Sequence, residues 1–259
     1  MLQTIVIFLI PIFIVNTKKL NEMKKLSTLL LLVLIFTTSM ACAHPRQSTD
    51  KFEVSNFTAI KSSVVANVEI RQSPETSVTA EGDDDMLDLL KVRMDNETLV
   101  IEMNKKRINR FKNNANKLTI IITTPNLTKI ESEGVGNITI VGSFETPKLK
   151  IDSEGVGNFR AENLYAGTVE IESDGVGNIK VGGNAESVYI KSEGIGNTDA
   201  KDLISLTTYV ESDGVGNVSC YASEYLKIDS EGIGNTTYYG KPKQSNINKD
   251  GVGRIRAGN

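Results

Sequence analysis

The sequence is poor in the side chains that most catalytic and metal centres use. Among its 259 residues there are no Trp, a single His (His44) and only two Cys (Cys42 and Cys220). One His near the N-terminus cannot anchor a catalytic triad or a histidine metal site. The formal net charge is −3 and no basic patch dominates, which argues against nucleic acid as the main partner. The composition favours a non-catalytic protein.

The N-terminal segment has the pattern of an export signal. From Met23 onward, Lys24 and Lys25 precede an apolar stretch (29–36), which is followed by small residues up to position 43. A basic start, a short apolar stretch and a small-residue end are typical of a secretory signal peptide. We therefore predict a signal over residues 1–43 and export of the chain.

The true start of the chain is open between Met1 and Met23. Residues 5–15 form a second apolar run, which Pro11 interrupts. The alternative interpretation of this run is a membrane anchor, but it is short for a span of about 20 residues. An over-extended start at Met1 is the interpretation that we prefer.

The end of the signal favours a lipoprotein. Residues 39–42 read Ser-Met-Ala-Cys, which is similar to a relaxed bacterial lipobox with Cys42 as the lipidated residue, although Leu is missing three positions before it. The same residues also form an acceptable ordinary signal-peptidase site, so a periplasmic or secreted protein is the alternative.

The polar stretch 44–51 is predicted to be a tether. With Cys42 lipidated or removed, Cys220 has no partner, and we expect a buried, inert thiol there.

Internal repetition is the strongest signal in the sequence. A Ser-Glu/Asp-Gly-Val/Ile-Gly-Asn motif recurs six times, and a degenerate seventh copy begins at Lys249. The spacings are 21, 20, 19, 20, 18 and 19 residues. A repeat of this length predicts a solenoid, because one copy cannot bury its own apolar side. The six motifs begin at Ser132, Ser153, Ser173, Ser192, Ser212 and Ser230.

The alignment of these copies predicts strands. Apolar residues recur two positions before the Ser and three, six and eight positions after it, which is typical of strands with one buried side. We predict an all-β, right-handed parallel β-helix in which coils of roughly 20 residues rise about 4.8 Å each. One domain would span 52–257, with irregular first coils and a cap over 52–127 and seven repeats over 128–257. A separate small β-domain before the repeats is the alternative.

The glycines and the asparagine of each motif are predicted to build a corner. Two Gly per copy indicate positive φ or a close backbone approach that excludes a Cβ. The Asn side chains would stack in a hydrogen-bonded ladder along the axis. These corner residues are Gly134, Gly136, Asn137, Gly155, Gly157, Asn158, Gly175, Gly177, Asn178, Gly194, Gly196, Asn197, Gly214, Gly216, Asn217, Gly232, Gly234 and Asn235.

An acidic residue follows the Ser position in every copy, and the residue before it is usually acidic too. If the Ser points inward, both neighbours point outward. Stacked carboxylates repel by roughly 1 kcal/mol per pair in water. They therefore form either a Ca²⁺ site or a solvated face that Lys129, Lys150 and Lys227 ease. The column after the Ser consists of Glu133, Glu154, Asp174, Glu193, Asp213, Glu231 and Asp250.

One aromatic pair is a candidate for ligand stacking. Tyr189 and Tyr209 occupy the same column in neighbouring copies and could stack against a sugar, or simply support the sheet. Cleavage of a polysaccharide would need two carboxylates in distinct environments, and here every carboxylate resembles its neighbour. The sequence thus favours binding over catalysis.

Several motifs recur in order along the chain, namely Phe57–Ile60, Val68–Ile70, Leu99–Ile101, Ile120–Leu127, the Gly-Val/Ile-Gly-Asn copies and Gly240–Pro242. Together these motifs resemble one known family, "putative auto-transporter adhesin, head GIN domain", which occurs in envelope lipoproteins of Bacteroidetes-type bacteria. The resemblance covers about residues 52–257 and implies a β-helical fold and an envelope location, with no catalytic residues to carry over. We expect a surface adhesin or scaffold that binds a polymer or protein, with polysaccharide binding or cleavage and a Ca²⁺-stabilised module as alternatives. The oligomeric state stays open.

Overall fold

The computed structural model describes residues 47–104 and 118–258. The predicted signal peptide, Cys42 and the first residues of the predicted tether lie outside the described residues. Within the described residues, no helix is long and apolar enough to span a membrane. The chain is an all-β solenoid with coils of about 20 residues. The predicted parallel β-helix is confirmed.

Strands carry nearly all the regular structure. A short helix, α1 (Asp84–Leu87), lies between β4 and β5. The strands are β1 (Gln47–Phe52), β2 (Ala59–Ser63), β3 (Asn67–Gln72), β4 (Ser77–Asp83), β5 (Leu90–Asp95), β6 (Thr98–Met103), β7 (Leu118–Thr124), β8 (Lys129–Ser132), β9 (Ile138–Ser153), β10 (Phe159–Ser173), β11 (Ile179–Ser192), β12 (Thr198–Ser212), β13 (Val218–Tyr221), β14 (Tyr225–Ser230), β15 (Thr236–Tyr239), β16 (Gln244–Lys249) and β17 (Ile255–Ala257).

The repeats stack in register along two runs of parallel strands. One run contains β2, β8, the second halves of β9 to β12, then β14 and β16. The other contains β3, the first halves of β9 to β12, then β13, β15 and β17. Equivalent residues face each other in successive coils, as Ser153, Ser173 and Ser192 do. Side chains at equivalent positions of the repeat therefore form columns along the axis.

Antiparallel strands close the N-terminal end. β4 pairs antiparallel with β7, and β5 pairs antiparallel with β6. β1 pairs antiparallel with β4, from Gln47 opposite Asp83 to Phe52 opposite Val78. The prediction of a tether over 44–51 is therefore wrong from Gln47 onward. An edge strand needs only backbone partners along one side, and the half-buried Phe52 packs against the core.

The inward columns form one continuous core. The column two positions before the Ser is buried from Ile130 to Ile228, and the columns six and eight positions after it are buried from Ile138 and Ile140 to Val218 and Cys220. In the last described coil Ile247 is 41% exposed, because within the described residues no further coil packs above it. The hydrophobic effect thus acts between coils rather than within them.

One apolar column that the repeat predicts lies on the outside of the solenoid. The Val or Ile between the two glycines points to solvent in every copy, and Val176, for example, is 49% exposed. This column lies three positions after the Ser, out of phase with the buried columns two positions before it and six and eight positions after it, and the alternation continues through the corner, with Gly175 buried and Val176 exposed.

An eighth copy of the motif, which the sequence analysis missed, precedes the seven. Residues 62–70 pair with residues 132–140, so Val65 and Asn67 occupy the corner positions. Val64 and Ala66 replace the two glycines. On the other side of this copy, β6 and β7 pair in parallel with β2 and β3, and the Val65 N–H donates to the Met103 sulfur at 3.2 Å.

Candidate functional site

The corner glycines are fixed by close contact between the backbones of successive coils. A Cβ added at any of them would lie 1.6–2.3 Å from a backbone oxygen of the preceding coil. The second glycine of each motif also has a φ between +142° and +158°, whereas the first has no such φ. Two separate constraints therefore act on the second glycine and one on the first.

The asparagines form the predicted ladder. Each carboxamide oxygen accepts the backbone N–H of the next Asn, as Asn178 Oδ1 accepts from Asn197 N at 3.1 Å. Each Nδ2 donates to the Asn of the preceding coil, as Asn178 Nδ2 does to Asn158 Oδ1 at 3.0 Å. The ladder begins at Asn67 and ends where Arg254 replaces Asn, since only the Arg254 backbone N–H contacts Asn235.

The residues between the glycines form a continuous exposed column, which we call the aliphatic ladder. Parallel bridges connect each member to the next. The exposed fraction ranges from 43% at Val65 to 70% at Val252. The aliphatic ladder comprises Val65, Val135, Val156, Val176, Ile195, Val215, Ile233 and Val252.

Lysines interleave with the acidic columns. All seven residues that follow the repeat Ser position are exposed, while the Ser side chains of later copies, such as Ser212, are buried. Lys129 Nζ lies 2.8 Å from Glu131, and Lys227 Nζ lies 2.8 Å from Asp229. Other pairs join Lys61 to Glu131 and Glu133, Lys150 to Glu172, and Lys191 to Glu193.

The pKa values divide the acidic columns into paired and unpaired carboxylates. Hydrogen bonds from Lys129 and then Lys61 lower the pKa of Glu131 to about 2. Partial burial, and then the charge of Glu172, raise the pKa of Asp152. The charge of Asp152 in turn is the main cause of the raised pKa of Glu154. The face therefore contains both ion-paired carboxylates and carboxylates that repel one another.

The structure does not gather the carboxylates into a coordination cluster. Among residues 47–104 and 118–258, no three His, Cys, Asp or Glu side chains are placed to hold a metal ion. Ca²⁺ binding along the column from Glu133 to Asp250 stays a prediction. It predicts a melting temperature that rises in millimolar Ca²⁺ relative to chelator, whereas a solvated face eased by lysines predicts no change.

Tyr189 and Tyr209 stack on each other. Their ring centroids are 4.9 Å apart and the ring planes differ by 2°. Tyr225 extends the group, with its centroid 5.7 Å from that of Tyr209 and a tilt of 50°. Stacking covers one face of each ring and leaves the edges and hydroxyl groups for a ligand. The two rings border a hollow of about 300 Å³ whose rim includes Glu170, Glu172, Lys191 and Glu211.

A larger groove, which the sequence analysis missed, lies elsewhere on the solenoid. Its volume is about 630 Å³, and exposed Tyr165, Ile204 and Leu206 line it together with residues of three further coils. A second hollow of about 690 Å³ shares Ile204 and Ser223 with it and adds Tyr221 and Tyr239. Coil length varies here, and register shifts follow Ala161 and Lys180, so no repeating column identifies these residues in the sequence.

Cys220 lies in an inward column. It is fully buried and unpaired, and burial raises the pKa of its thiol to about 12. A thiol in this environment is a core side chain rather than a nucleophile.

The chain resembles known proteins in both sequence and structure. A family profile described as "Putative auto-transporter adhesin, head GIN domain" matches residues 56–242. A crystal structure of a "putative adhesin" from Bacteroides fragilis shares 31% identity and a TM-score of 0.80, over 83% of this chain and 98% of that one.

Two more distant structures share the fold. A "putative lipid binding protein" from Parabacteroides distasonis has 20% identity and a TM-score of 0.59, over 83% of this chain and 97% of that one. A "putative adhesin" from the same species has 20% identity and a TM-score of 0.60, over 82% and 97%. Among curated proteins, none shows significant similarity. The profile match over most of the chain and the identity to the Bacteroides fragilis protein show that this chain belongs to the "putative auto-transporter adhesin, head GIN domain" family.

Proposed function

We propose that this chain is a non-catalytic protein of the cell surface that binds an extended polymer or surface protein along several coils. The observation that carries the proposal is the in-register stacking of equivalent side chains. The aliphatic, asparagine and acidic columns each present a similar group about every 4.8 Å, over about 34 Å from the first corner to the last. Weak contacts repeated at this spacing add up when the ligand is itself repetitive.

The tyrosine hollow favours a polysaccharide among such polymers. Stacked rings with hydroxyl groups beside carboxylates and a lysine offer both apolar contact and hydrogen bonds to a polyhydroxylated ligand. The same surface suits a protein loop, which is the second candidate.

An array experiment can identify the ligand. We expect the purified chain to be retained by at least one member of an array of bacterial and host polysaccharides and extracellular-matrix proteins. The double variant Tyr189→Ala/Tyr209→Ala should weaken that retention at least tenfold, because it removes both rings. Tyr165→Ala tests the larger groove, which this exposed tyrosine lines, and should leave retention unchanged. Loss of retention in Tyr165→Ala equal to that in the double variant would mean that the tyrosine hollow is not the specific contact.

We further propose that a lipid on Cys42 anchors the chain to the outer membrane. The support is the sequence of residues 39–42, followed within a few residues by the first strand at Gln47. Full-length chain expressed in a host of the same bacterial group should incorporate an alkyne fatty acid, and Cys42→Ser should abolish incorporation. Equal labelling of the Cys42→Ser variant would disprove the anchor.

A further inference from the structure

The aliphatic ladder is exposed in a way that its neighbouring columns are not. The outward column three positions before the repeat Ser mixes Lys, Glu, Tyr and Asn, whereas every rung of the ladder is Val or Ile. Each rung is 43–70% exposed. A solvated surface does not require eight aliphatic residues in one column, so the uniform exposure of this column indicates that a partner covers it.

Glycine on both sides leaves the ladder unshielded. In seven of its eight members a Cβ at either flanking glycine would overlap the backbone of the preceding coil, so no side chain flanks the Val or Ile there; only Val65 lies between two side chains, Val64 and Ala66. The nearest exposed side chains are the acidic column on one side, as at Asp174, and the asparagine ladder on the other, as at Asn178. The corner is thus a ridge of three columns, in the order acidic, aliphatic and amide.

The spacing of the rungs selects the kind of partner. Rungs repeat about every 4.8 Å, whereas an α-helix has a pitch of 5.4 Å and would drift by roughly 4 Å over seven steps. A strand laid along the ridge presents side chains on one face about every 6.7 Å, which matches still less well. Another corner of the same kind matches at every rung, and a second copy of this chain provides one.

We propose that two copies of this chain associate side by side through their aliphatic ladders, with parallel axes. A two-fold axis along the ridge places the acidic column of each copy opposite the asparagine ladder of the other. A two-fold axis across the ridge would place acidic columns opposite each other, where the like charges repel. The charges on the ridge therefore select the parallel arrangement.

The asparagine amides have the hydrogen-bonding capacity that this arrangement uses. Each Nδ2 carries two hydrogens, and the ladder uses one of them, as in the bond from Asn178 to Asn158. The second hydrogen is available to a carboxylate of the partner copy. Opposing columns of carboxylates and amides then border a seam of interdigitating Val and Ile.

The size of the ridge predicts a weak dimer. A strip about 34 Å long and roughly 13 Å wide covers on the order of 450 Å² per copy. Stable complexes bury about 800 Å² per partner. We therefore expect a dissociation constant on the order of 10–100 μM. Copies held at one surface have a high local concentration, which would allow them to dimerise at this affinity.

Cross-linking between single cysteines tests both the contact and its direction. The chain is used from Arg46, a compact unit with its own core that corresponds to a crystallised relative, and buried Cys220 is then its only native Cys. With a short bismaleimide, Val135→Cys and Ile233→Cys should each form homodimers, whereas an equimolar mixture should give no heterodimer. An antiparallel contact would instead give the heterodimer from the mixture and neither homodimer. Leu206→Cys, equally exposed but outside the ridge, should not cross-link.

Sedimentation equilibrium tests the energetics. The pair Val176→Lys/Ile195→Lys should weaken association at least tenfold without lowering the melting temperature, while Leu206→Lys leaves association unchanged. If the lysines disturb folding, Val176→Thr/Ile195→Thr keeps the branched shape and should still weaken association several-fold. A chain that stays monomeric at 0.5 mM, or a dimer indifferent to the ridge substitutions, would overturn the proposal.

Discussion

Replacing Gly177 by Ala is expected to destabilise the solenoid by at least about 3 kcal/mol, and the chain will fail to accumulate if its total stability is modest. The new Cβ would lie 1.6 Å from the carbonyl oxygen of Gly157. That oxygen belongs to backbone packed between coils and cannot rotate away as a side chain would. The φ of +157° adds conformational strain for any residue with a Cβ. Urea unfolding followed by circular dichroism measures the loss.

Two control variants separate the causes. Gly142 has a φ of +82° with no atom within 4 Å of an added Cβ, so Gly142→Ala carries strain alone and should cost about 1 kcal/mol. Gly175→Ala carries the clash alone, because a Cβ there lies 2.1 Å from the Gly155 oxygen while φ is not in the left-handed region. We expect it to be nearly as severe as Gly177→Ala. A loss below 1 kcal/mol for Gly177→Ala would mean that the coils do not approach this closely.

Replacing Asn178 by Ala is expected to cost about 2 kcal/mol of folding stability. The substitution removes the bond from Nδ2 to Asn158 and the two bonds that Oδ1 accepts from Asn197, each 3.0–3.1 Å long. Each contributes roughly 0.5–1.5 kcal/mol, less where water replaces it at the exposed corner. The melting temperature and the denaturation midpoint both report this loss.

The end of the ladder provides a matched control for this prediction. Asn235 donates to Asn217 but accepts only one bond, from the backbone N–H of Arg254. Asn235→Ala therefore removes two hydrogen bonds instead of three and should cost measurably less. If both substitutions cost the same, position in the ladder does not matter and the stacking of amides is not a source of stability.

The sequence predicted much of this architecture because the repeat is nearly exact. Columns such as Ile151, Ile171 and Ile190 recur with a spacing that only stacked coils satisfy, and they form the core. The corner position of Gly177 followed from the same alignment, since two glycines at fixed places in every copy indicate a backbone constraint.

The features that sequence reasoning missed are one column assigned to the wrong side and the places where the repeat fails. Val176 is apolar but lies an odd number of positions from the buried columns, so the same alternation that buries Ile171 and Ile179 exposes it. The copy at residues 62–70 lacks both glycines, although Val65 and Asn67 keep its spacing. The groove beside Ile204 arises from coils of unequal length, whose register shifts only the structure shows.

The site is likewise only partly deducible from the sequence. Shared columns placed Tyr189 beside Tyr209, and the structure stacks the rings at 4.9 Å. The hollow beside them depends on the rotamers of Glu172 and Lys191, which side-chain packing and ion pairing determine. A carboxylate column alone does not reveal which of its members are neutralised.

Removal of one whole coil tests the proposed mode of binding most directly. Deletion of residues 153–172 joins Asp152 to Ser173, keeps the following motif intact and retains both Tyr189 and Tyr209. The shortened chain should fold, as circular dichroism would show, because each coil contacts only its neighbours. Its affinity for whichever array polymer or protein retains the parent chain should fall at least several-fold, because fewer coils contact the ligand. Unchanged affinity, or no retention of the parent chain by any array member, would contradict binding along a multi-coil surface.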